Sequence, residues 1–116
     1  MESELKKRMQ DFSIAVIEAV EVLPRKQATE IIGRQLIRCA TAIGANYRAA
    51  CRGKSRSDFA AKLAIAEEEA DETQYWLEIL QRLGAMNRQT FDRLHRGADE
   101  FTAILVSSIR TTRKNS

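Results

Sequence analysis

The sequence contains few of the residues that interrupt helices, with one proline and five glycines in 116 residues. Proline and glycine break helices most strongly, and a fold of many short strands needs many of them in its turns. A chain of this length normally forms one domain with its own core. The scarcity of chain breakers therefore predicts a single all-α domain over residues 1–116.

Long apolar runs are also missing. No segment approaches the roughly 20 apolar residues that cross a bilayer. The opening segment MESELKKRMQ is too charged for a secretory signal. We therefore expect a cytoplasmic protein without a membrane partner.

Histidine and cysteine are scarce, which limits the chemistry open to the chain. Cys39 and Cys51 are the only cysteines and share one predicted helix, so about 18 Å separates them, too far for a disulfide. His95, the only histidine, has no Glu-x-x-His motif and no evident partner, which excludes a di-iron site and a catalytic triad. The segment RGKS at 52–55 lacks the first glycine of a phosphate-binding loop. We therefore expect no enzyme, no metal and no cofactor.

Apolar residues recur at alternating spacings of four and three, a pattern typical of helices packed at shallow angles. It predicts helices at about 3–23, 28–52, 57–83 and 89–111, and a frayed tail at 112–116. The connections are short, which makes neighbouring helices antiparallel. We therefore expect an antiparallel up-down-up-down four-helix bundle.

Each predicted helix has one core stripe and candidate end signals. The stripes are Leu5, Met9, Phe12, Val16, Ala19 and Leu23; Ile32, Leu36, Cys39, Ile43, Asn46 and Ala50; Phe59, Leu63, Ala66, Ala70, Thr73, Leu77 and Leu80; and Phe91, Leu94, Ala98, Phe101, Leu105 and Ser108. Candidate N-caps are Ser3, Thr29, Ser57 and Thr90, and candidate C-terminal stops are Pro24, Gly53 and Gly84.

Further apolar residues lie outside these stripes: Ile14, Ile17, Val20, Ile65, Trp76, Ile79, Leu83, Ile104 and Ile109. Some of them can widen the core stripe, and the rest would be exposed apolar surface, which usually marks an interface. The surplus therefore predicts a homo-oligomer, with Trp76, Ile79 and Leu83 as core or subunit contacts.

The second helix carries small residues around Gly44, which costs about 1 kcal/mol relative to alanine inside a helix. We therefore expect close packing at Gly44, within the bundle or between subunits. Asn46 falls on the core stripe and is interpreted as structural, because a buried amide needs partners and often fixes register. Its neighbour Tyr47 is a further candidate for packing.

Positive charge is concentrated in segments that the bundle brings to one end. We call this the basic end; it contains Lys6, Lys7, Arg8, Arg48, Arg52, Lys54, Arg56, Lys62, Arg110, Arg113 and Lys114. These eleven bases face four acids, Glu2, Glu4, Asp11 and Asp58, an excess of seven in a chain of net charge +3. All of the bases except Arg8 are candidate contacts to nucleic-acid phosphates. Since Tyr47 is the only aromatic residue among the bases, we expect backbone-directed binding with little sequence preference.

Acids concentrate on the third helix, with six between Leu63 and Leu83. Helices two and three fold back about a turn near Lys54, so facing residues have numbers that sum to roughly 109. This places Arg38 opposite Asp71 and Glu72, and Arg34 near Tyr75. The acidic run therefore predicts a solvated face with cross-helix ion pairs.

Three motifs occur in order across residues 38–80: GANYR at 44–48, a basic turn before SDF at 57–59, and EADETQYWLEIL at 69–80. With VLPRKQ at 22–27, they closely resemble a bacterial four-helix-bundle protein family. That family includes proteins encoded in intervening sequences of large-subunit ribosomal RNA genes, and the accessory variability determinants of diversity-generating retroelements.

The resemblance implies a ring-shaped homopentamer with a basic surface. In retroelement members that surface is associated with nucleic-acid binding and with docking of a reverse transcriptase. A nucleic-acid-binding accessory protein is therefore the first expectation for this chain. A protein-interaction scaffold without a nucleic-acid role remains the alternative.

Overall fold

The computed structural model describes residues 2–115 and shows an all-helical chain, with no strand in that range. Its four helices are α1 (Glu2–Glu21), α2 (Gln27–Cys51), α3 (Arg56–Arg82) and α4 (Arg88–Lys114). Each helix packs against the next one in sequence, and α4 also contacts α1. The result is an elongated four-helix bundle of 47 × 22 × 19 Å, as the heptad pattern predicted.

The core follows the predicted stripes closely, because their spacing of four and three keeps one face of each helix inward. Its fully buried larger side chains are Met9, Val16, Leu36, Cys39, Ile43, Leu63, Thr73, Leu77, Leu80, Leu94 and Leu105. Phe12 and Phe101 meet edge to face in this core, with ring centroids 5.4 Å apart. That contact joins α1 to α4 across the more sparsely packed side of the bundle.

Two positions of the predicted stripes are wrong. Tyr47, not Asn46, completes the stripe on α2, and Ile109, not Ser108, completes it on α4. Both changes follow a spacing of four where a strict heptad demands three, because a straight helix repeats every 3.6 residues. Asn46 is half-buried, and its amide nitrogen donates to the Ala42 carbonyl of its own helix at 2.9 Å. Asn46 therefore satisfies its amide locally, without a partner in the core.

Of the nine surplus apolar residues, Ile79 is half-buried, and the other eight divide into two groups. Ile109 is buried, and Val20, Trp76 and Ile104 pack half-buried against the core, so these four widen the stripes. Seven large apolar residues stay exposed: Ile14, Ile17, Val22, Ile31, Ile65, Tyr75 and Leu83. Val22, Ile31 and Tyr75 were not predicted in this group.

Side-chain caps begin α3 and α4 at positions that differ from the prediction. Ser55 Oγ accepts from the Asp58 N–H at 3.0 Å, and Asn87 Oδ1 accepts from the Thr90 N–H at 2.8 Å. A cap has extended backbone and bonds the amide three residues on, so Ser57 and Thr90 lie inside the helices. The predicted caps Ser3 and Thr29 also lie inside their helices, and Lys26 precedes α2 without a side-chain cap. At the end of α3, Gly84 has φ +70° and stops the helix as predicted.

The predicted fraying from residue 112 is wrong for 112–114, because α4 continues to Lys114. Ile109 buries its side chain against the core at this end. The Asn115 N–H bonds the Thr111 carbonyl at 3.2 Å, and the Arg56 guanidinium donates to the Asn115 carbonyl from the next helix. These contacts hold the last turn in place. Residue 116 of the predicted tail lies outside the described residues.

Both cysteines are free, as their separation predicted. Cys39 is buried beside Thr73, whose hydroxyl oxygen lies 3.3 Å from Cys39 Sγ and donates to the Glu69 carbonyl at 2.7 Å. Burial raises the pKa of the Cys39 thiol. Cys39 is therefore a packing residue between α2 and α3.

Gly44 lies where α1 and α2 approach each other closely. A Cβ at this position would lie 3.3 Å from Met9 Cβ and 3.7 Å from the Met9 carbonyl carbon. The first contact is tighter than ordinary van der Waals separation and the second, to backbone, is an ordinary one, so a larger side chain would meet both. The close packing predicted at Gly44 is therefore confirmed within the bundle.

Replacing Gly44 with leucine is expected to destabilise the fold, because the side chain would force α1 away from α2. Overpacking of this kind lowers the free energy of unfolding by about 1–3 kcal/mol. Ala45→Leu is the matched control, since Ala45 is exposed and surface changes stay within about 0.5 kcal/mol. Urea denaturation followed by circular dichroism measures both variants. Equal midpoints for the two would contradict close packing at Gly44.

Candidate nucleic-acid interface

The predicted basic end exists as one surface. Lys6, Lys7 and Arg48 line a shared groove between α1 and α2. Arg56, which begins α3, reaches the Asn115 carbonyl at the end of α4. The start of α1, the α2–α3 turn and the end of α4 therefore meet at the same end of the bundle, as antiparallel packing requires.

Local packing fixes the turn that carries Arg52, Lys54 and Arg56. A Cβ on Gly53 would lie 2.7 Å from Asp58 Oδ2 and 3.0 Å from the Ala50 carbonyl oxygen, so a side chain there would displace Asp58 and crowd the backbone. The Gly53 N–H bonds the Ala50 carbonyl at 2.9 Å. Gly53 therefore lies in a tightly packed turn just after α2, without a left-handed backbone.

Three bases of the basic end have acidic partners. Lys6 lies 3.3 Å from Glu2, Lys7 lies 2.8 Å from Asp11, and Arg8 lies 3.1 Å from Glu100. The hydrogen bond that Lys7 donates to Asp11 raises the pKa of Lys7. These pairs are exposed, and each contributes about 0–1 kcal/mol to stability. They partly neutralise the α1 side of the surface.

The remaining bases are concentrated around the α2–α3 turn and the end of α4. No described carboxylate lies within ion-pair distance of the following members: Arg48, Arg52, Lys54, Arg56, Lys62, Arg110 and Lys114. Lys62 is half-buried and the other six are exposed. Arg48 and Lys114 lie in the last turns of α2 and α4, where cations favour the negative end of the helix dipole. This part of the surface presents positive charge to solvent.

The aromatic residue predicted among the bases does not reach solvent. Tyr47 is only 8% exposed, and burial, together with its hydrogen bond to Cys51, raises its pKa to about 12. Burial likewise raises the pKa of the Cys51 thiol. Phe59, which the charge pattern did not single out, packs half-buried against the core beside Lys54 and Arg56. Its position on the apolar stripe of α3 was the one feature of the sequence that indicated its burial against the core.

The predicted cross-helix ion pairs form at Arg38. Its guanidinium lies 3.3 Å from Glu69 and also bonds Glu72, which in turn accepts from Trp76 Nε1 at 3.1 Å. The hydrogen bonds from Trp76 and Arg38 lower the pKa of Glu72. Glu69 replaces the predicted Asp71, because Asp71 lies on the exposed face of α3.

Arg34 and His95 are the last two residues whose surroundings were predicted from the sequence. Arg34 lines a hollow at the α1–α2 turn with Glu21 and Glu30, on the α1 side of α2. His95 Nε2 lies 2.8 Å from Glu78 Oε2, so the histidine joins α4 to α3 and the expectation that it has no partner was wrong. Within residues 2–115, no group of three or more histidine, cysteine or acidic side chains has the arrangement of a metal site. No helix in the same range is long and apolar enough to cross a membrane.

Comparison with known proteins gives a consistent result. The family model of the 23S rRNA-intervening sequence protein matches residues 1–107. A solved structure from Bacteroides thetaiotaomicron, described as a protein of unknown function from the S23 ribosomal protein family, is 35% identical with a TM-score of 0.84. The match covers 90% of this chain and 96% of that one. No curated protein matches the chain. With nearly the whole chain matched in sequence and in fold, the protein belongs to the 23S rRNA-intervening sequence protein family.

Proposed function

We propose that this chain is a non-enzymatic nucleic-acid-binding protein whose basic end contacts the phosphate backbone. The observation that carries the proposal is the set of exposed bases around the α2–α3 turn and the end of α4 that lack a described acidic partner. Outside the basic end, the chain has eight bases and twelve acids. Positive charge is therefore a property of this end and not of the protein as a whole.

The spread of the charge favours a polyanion over a small anion. The bases lie on three separate segments, represented by Lys6, Lys54 and Lys114. A small anion would touch few of them, while a phosphate backbone neutralises many and releases its counterions. Contacts of this kind position a nucleic acid without reading its bases. We therefore expect the affinity for nucleic acid to depend strongly on salt and little on base sequence.

The proposal includes assembly as a homo-oligomer, with the ring-shaped homopentamer of the resembling family as the specific form. Exposed apolar side chains support it, among them Ile14 at 50%, Tyr75 at 55% and Leu83 at 59% exposure. In a cyclic ring all subunits point the same way along the axis. Every basic end would then lie on one face, which multiplies the charge available to one ligand.

A protein-interaction scaffold is the second candidate. The exposed acidic face of α3, with Glu68 and Asp71, favours it because neither has an ion-pair partner in residues 2–115. Retention of one specific protein in a pull-down after nuclease treatment would favour this second function. The reverse transcriptase that the resemblance implies belongs instead to the first function, as the protein partner of a nucleic-acid-binding accessory protein.

Charge reversal at the turn tests the first function. Arg52→Glu, Lys54→Glu and Arg56→Glu together are expected to weaken binding to a mixed-sequence duplex by roughly tenfold or more. The dependence of log affinity on log salt should become shallower by about two to three. Fluorescence anisotropy across a salt series measures both quantities.

Arg25→Glu, Lys26→Glu and Arg93→Glu form the matched control. These three exposed bases lie at the opposite end of the bundle and change the net charge by the same amount. They should leave affinity nearly unchanged if position decides binding. Equal losses in both triple variants would show that only net charge matters, and absence of binding by the native protein at low salt would reject the function.

Light scattering tests the assembly. At micromolar concentration we expect about five times the chain mass of 13.1 kDa. Trp76→Ala is expected to reduce that mass, because Trp76 supports its exposed neighbour Tyr75 through an edge-to-face contact with centroids 5.1 Å apart. Circular dichroism checks that the variant remains helical. A native monomer at this concentration would rule out the assembly.

A further inference from the structure

The aromatic side chains nearest the basic end are buried or half-buried, and the Arg8 guanidinium covers the Phe101 ring at 5.4 Å from its centroid. Phe12 and Tyr47 are each 8% exposed and Phe101 is 3% exposed. Phe59 packs against the core at the start of α3. Within residues 2–115, Tyr75 is the exposed aromatic residue, and it lies on the half of α3 away from the basic end. The surface that the bases form is therefore charged and polar, without an open aromatic platform.

Proteins that hold single strands combine a basic groove with aromatic rings on which successive bases stack. Stacking compensates for the conformational freedom that a flexible strand loses when it is bound. At this surface Tyr47 and Phe101 are buried and Phe59 is half-buried, which leaves little ring surface for base stacking beside the phosphate contacts. A single strand bound here would lose conformational entropy without the compensating free energy of base stacking. A duplex is already ordered and presents its charges at twice the density of one strand.

The bases also stand on a backbone that is fixed before a ligand arrives. Ser55 caps α3 by accepting from the Asp58 N–H at 3.0 Å, and Arg56 ties the turn to the Asn115 carbonyl of α4. Arg48 and Lys114 stand on helices. An array of this kind suits a ligand of fixed phosphate spacing, because neither partner then loses much freedom.

The size of the surface agrees with such a ligand. The bundle is 22 × 19 Å in cross-section, and the bases occupy both the α1–α2 groove and the end of α4. A B-DNA groove separates its two phosphate rows by about 6 to 12 Å, and the minor groove of A-form RNA is wide and shallow. The surface is thus broad enough for bases on its two sides to meet phosphates of both strands. Asp58 and Glu4 are the acids at this end without a described ion-pair partner.

We propose that the basic end selects base-paired nucleic acid over single strands, by contacting two phosphate rows across one groove. The inference rests on the proposed function and specifies its ligand. Duplex RNA and duplex DNA share the required chemistry, and the arms of the experiment distinguish them.

The test compares four labelled probes of one mixed sequence: a 20-base-pair RNA duplex, the matching DNA duplex, and a single strand of each that lacks stable self-pairing. Fluorescence anisotropy at constant low salt measures the affinity of the full-length protein for each. We expect at least one duplex to bind roughly tenfold or more tightly than either single strand. Single strands that bind as tightly as both duplexes would overturn the duplex preference while leaving the proposed function intact. Absence of binding to all four probes would overturn both.

Phe59→Leu adds a second, independent readout. Leucine keeps the apolar contact with the core but removes the ring beside Lys54 and Arg56. Affinity for the preferred duplex should change less than about twofold, because phosphate contacts do not need the ring. A loss of about tenfold in a variant that remains folded by circular dichroism would show that a base stacks on Phe59. That result would overturn the inference.

Discussion

The short connection between α2 and α3 constrains the rest of the molecule. Because α2 ends at Cys51 and α3 begins at Arg56, α3 must run antiparallel to α2 and pack beside it. Gly53 fits this turn closely, since a Cβ there would crowd Asp58 and the Ala50 carbonyl. The same constraint brings the two ends of the chain to the turn, because four helices of similar length alternate in direction. Bases that are distant in sequence thereby become neighbours.

Such a concentration of like charge opposes folding, and the structure contains interactions that offset part of the repulsion. The C-termini of α2 and α4 both lie at this end, and their partial negative charge favours nearby cations such as Arg48 and Lys114. Lys6 and Lys7 have acidic neighbours on their own helix. These interactions offset the repulsion between bases on the α1 side and at the ends of α2 and α4. They leave Lys54 and Arg110 without a described ion-pair partner, and it is these residues that support a role in binding.

The heptad pattern was enough to predict the four helices, their order and most of the core, because the burial of one apolar face determines all three. It was not enough to distinguish positions one residue apart. Asn46 and Tyr47 are adjacent, as are Ser108 and Ile109, and the small drift between a heptad and a straight helix decides which member turns inward. Ser55 and Ser57 present the same difficulty, since either serine can cap a helix until the backbone is known.

The sequence was enough to predict which residues form the candidate site, but only partly how their charges pair. Antiparallel folding alone predicted that residues 6–8, 48–62 and 110–114 would share one end. The pairing of individual charges depended on rotamers and on the rotation of each helix about its axis. Arg38 therefore bonds Glu69 and Glu72, not Asp71. The burial of Tyr47 could not be inferred from charge spacing, because it follows from the same drift that displaces Asn46.

The distribution of exposed apolar residues separates the two proposed activities in space. Six of the seven, from Ile14 and Ile17 on α1 to Leu83 after α3, lie between the middle of the bundle and the end opposite the bases, while Ile65 lies in the half of α3 nearer the bases. The described segments of the basic end, 2–8, 48–62 and 105–115, contain none of them. Contacts between subunits along the sides of the bundle would therefore leave the charged end open. Because repulsion between neighbouring basic ends falls off within about 8 Å at physiological salt, apolar contacts nearer the other end would also hold the subunits together where that repulsion is weakest. An oligomer built in this way would bind a polyanion more strongly than one subunit does, since the ligand itself would neutralise the charge that the subunits bring together.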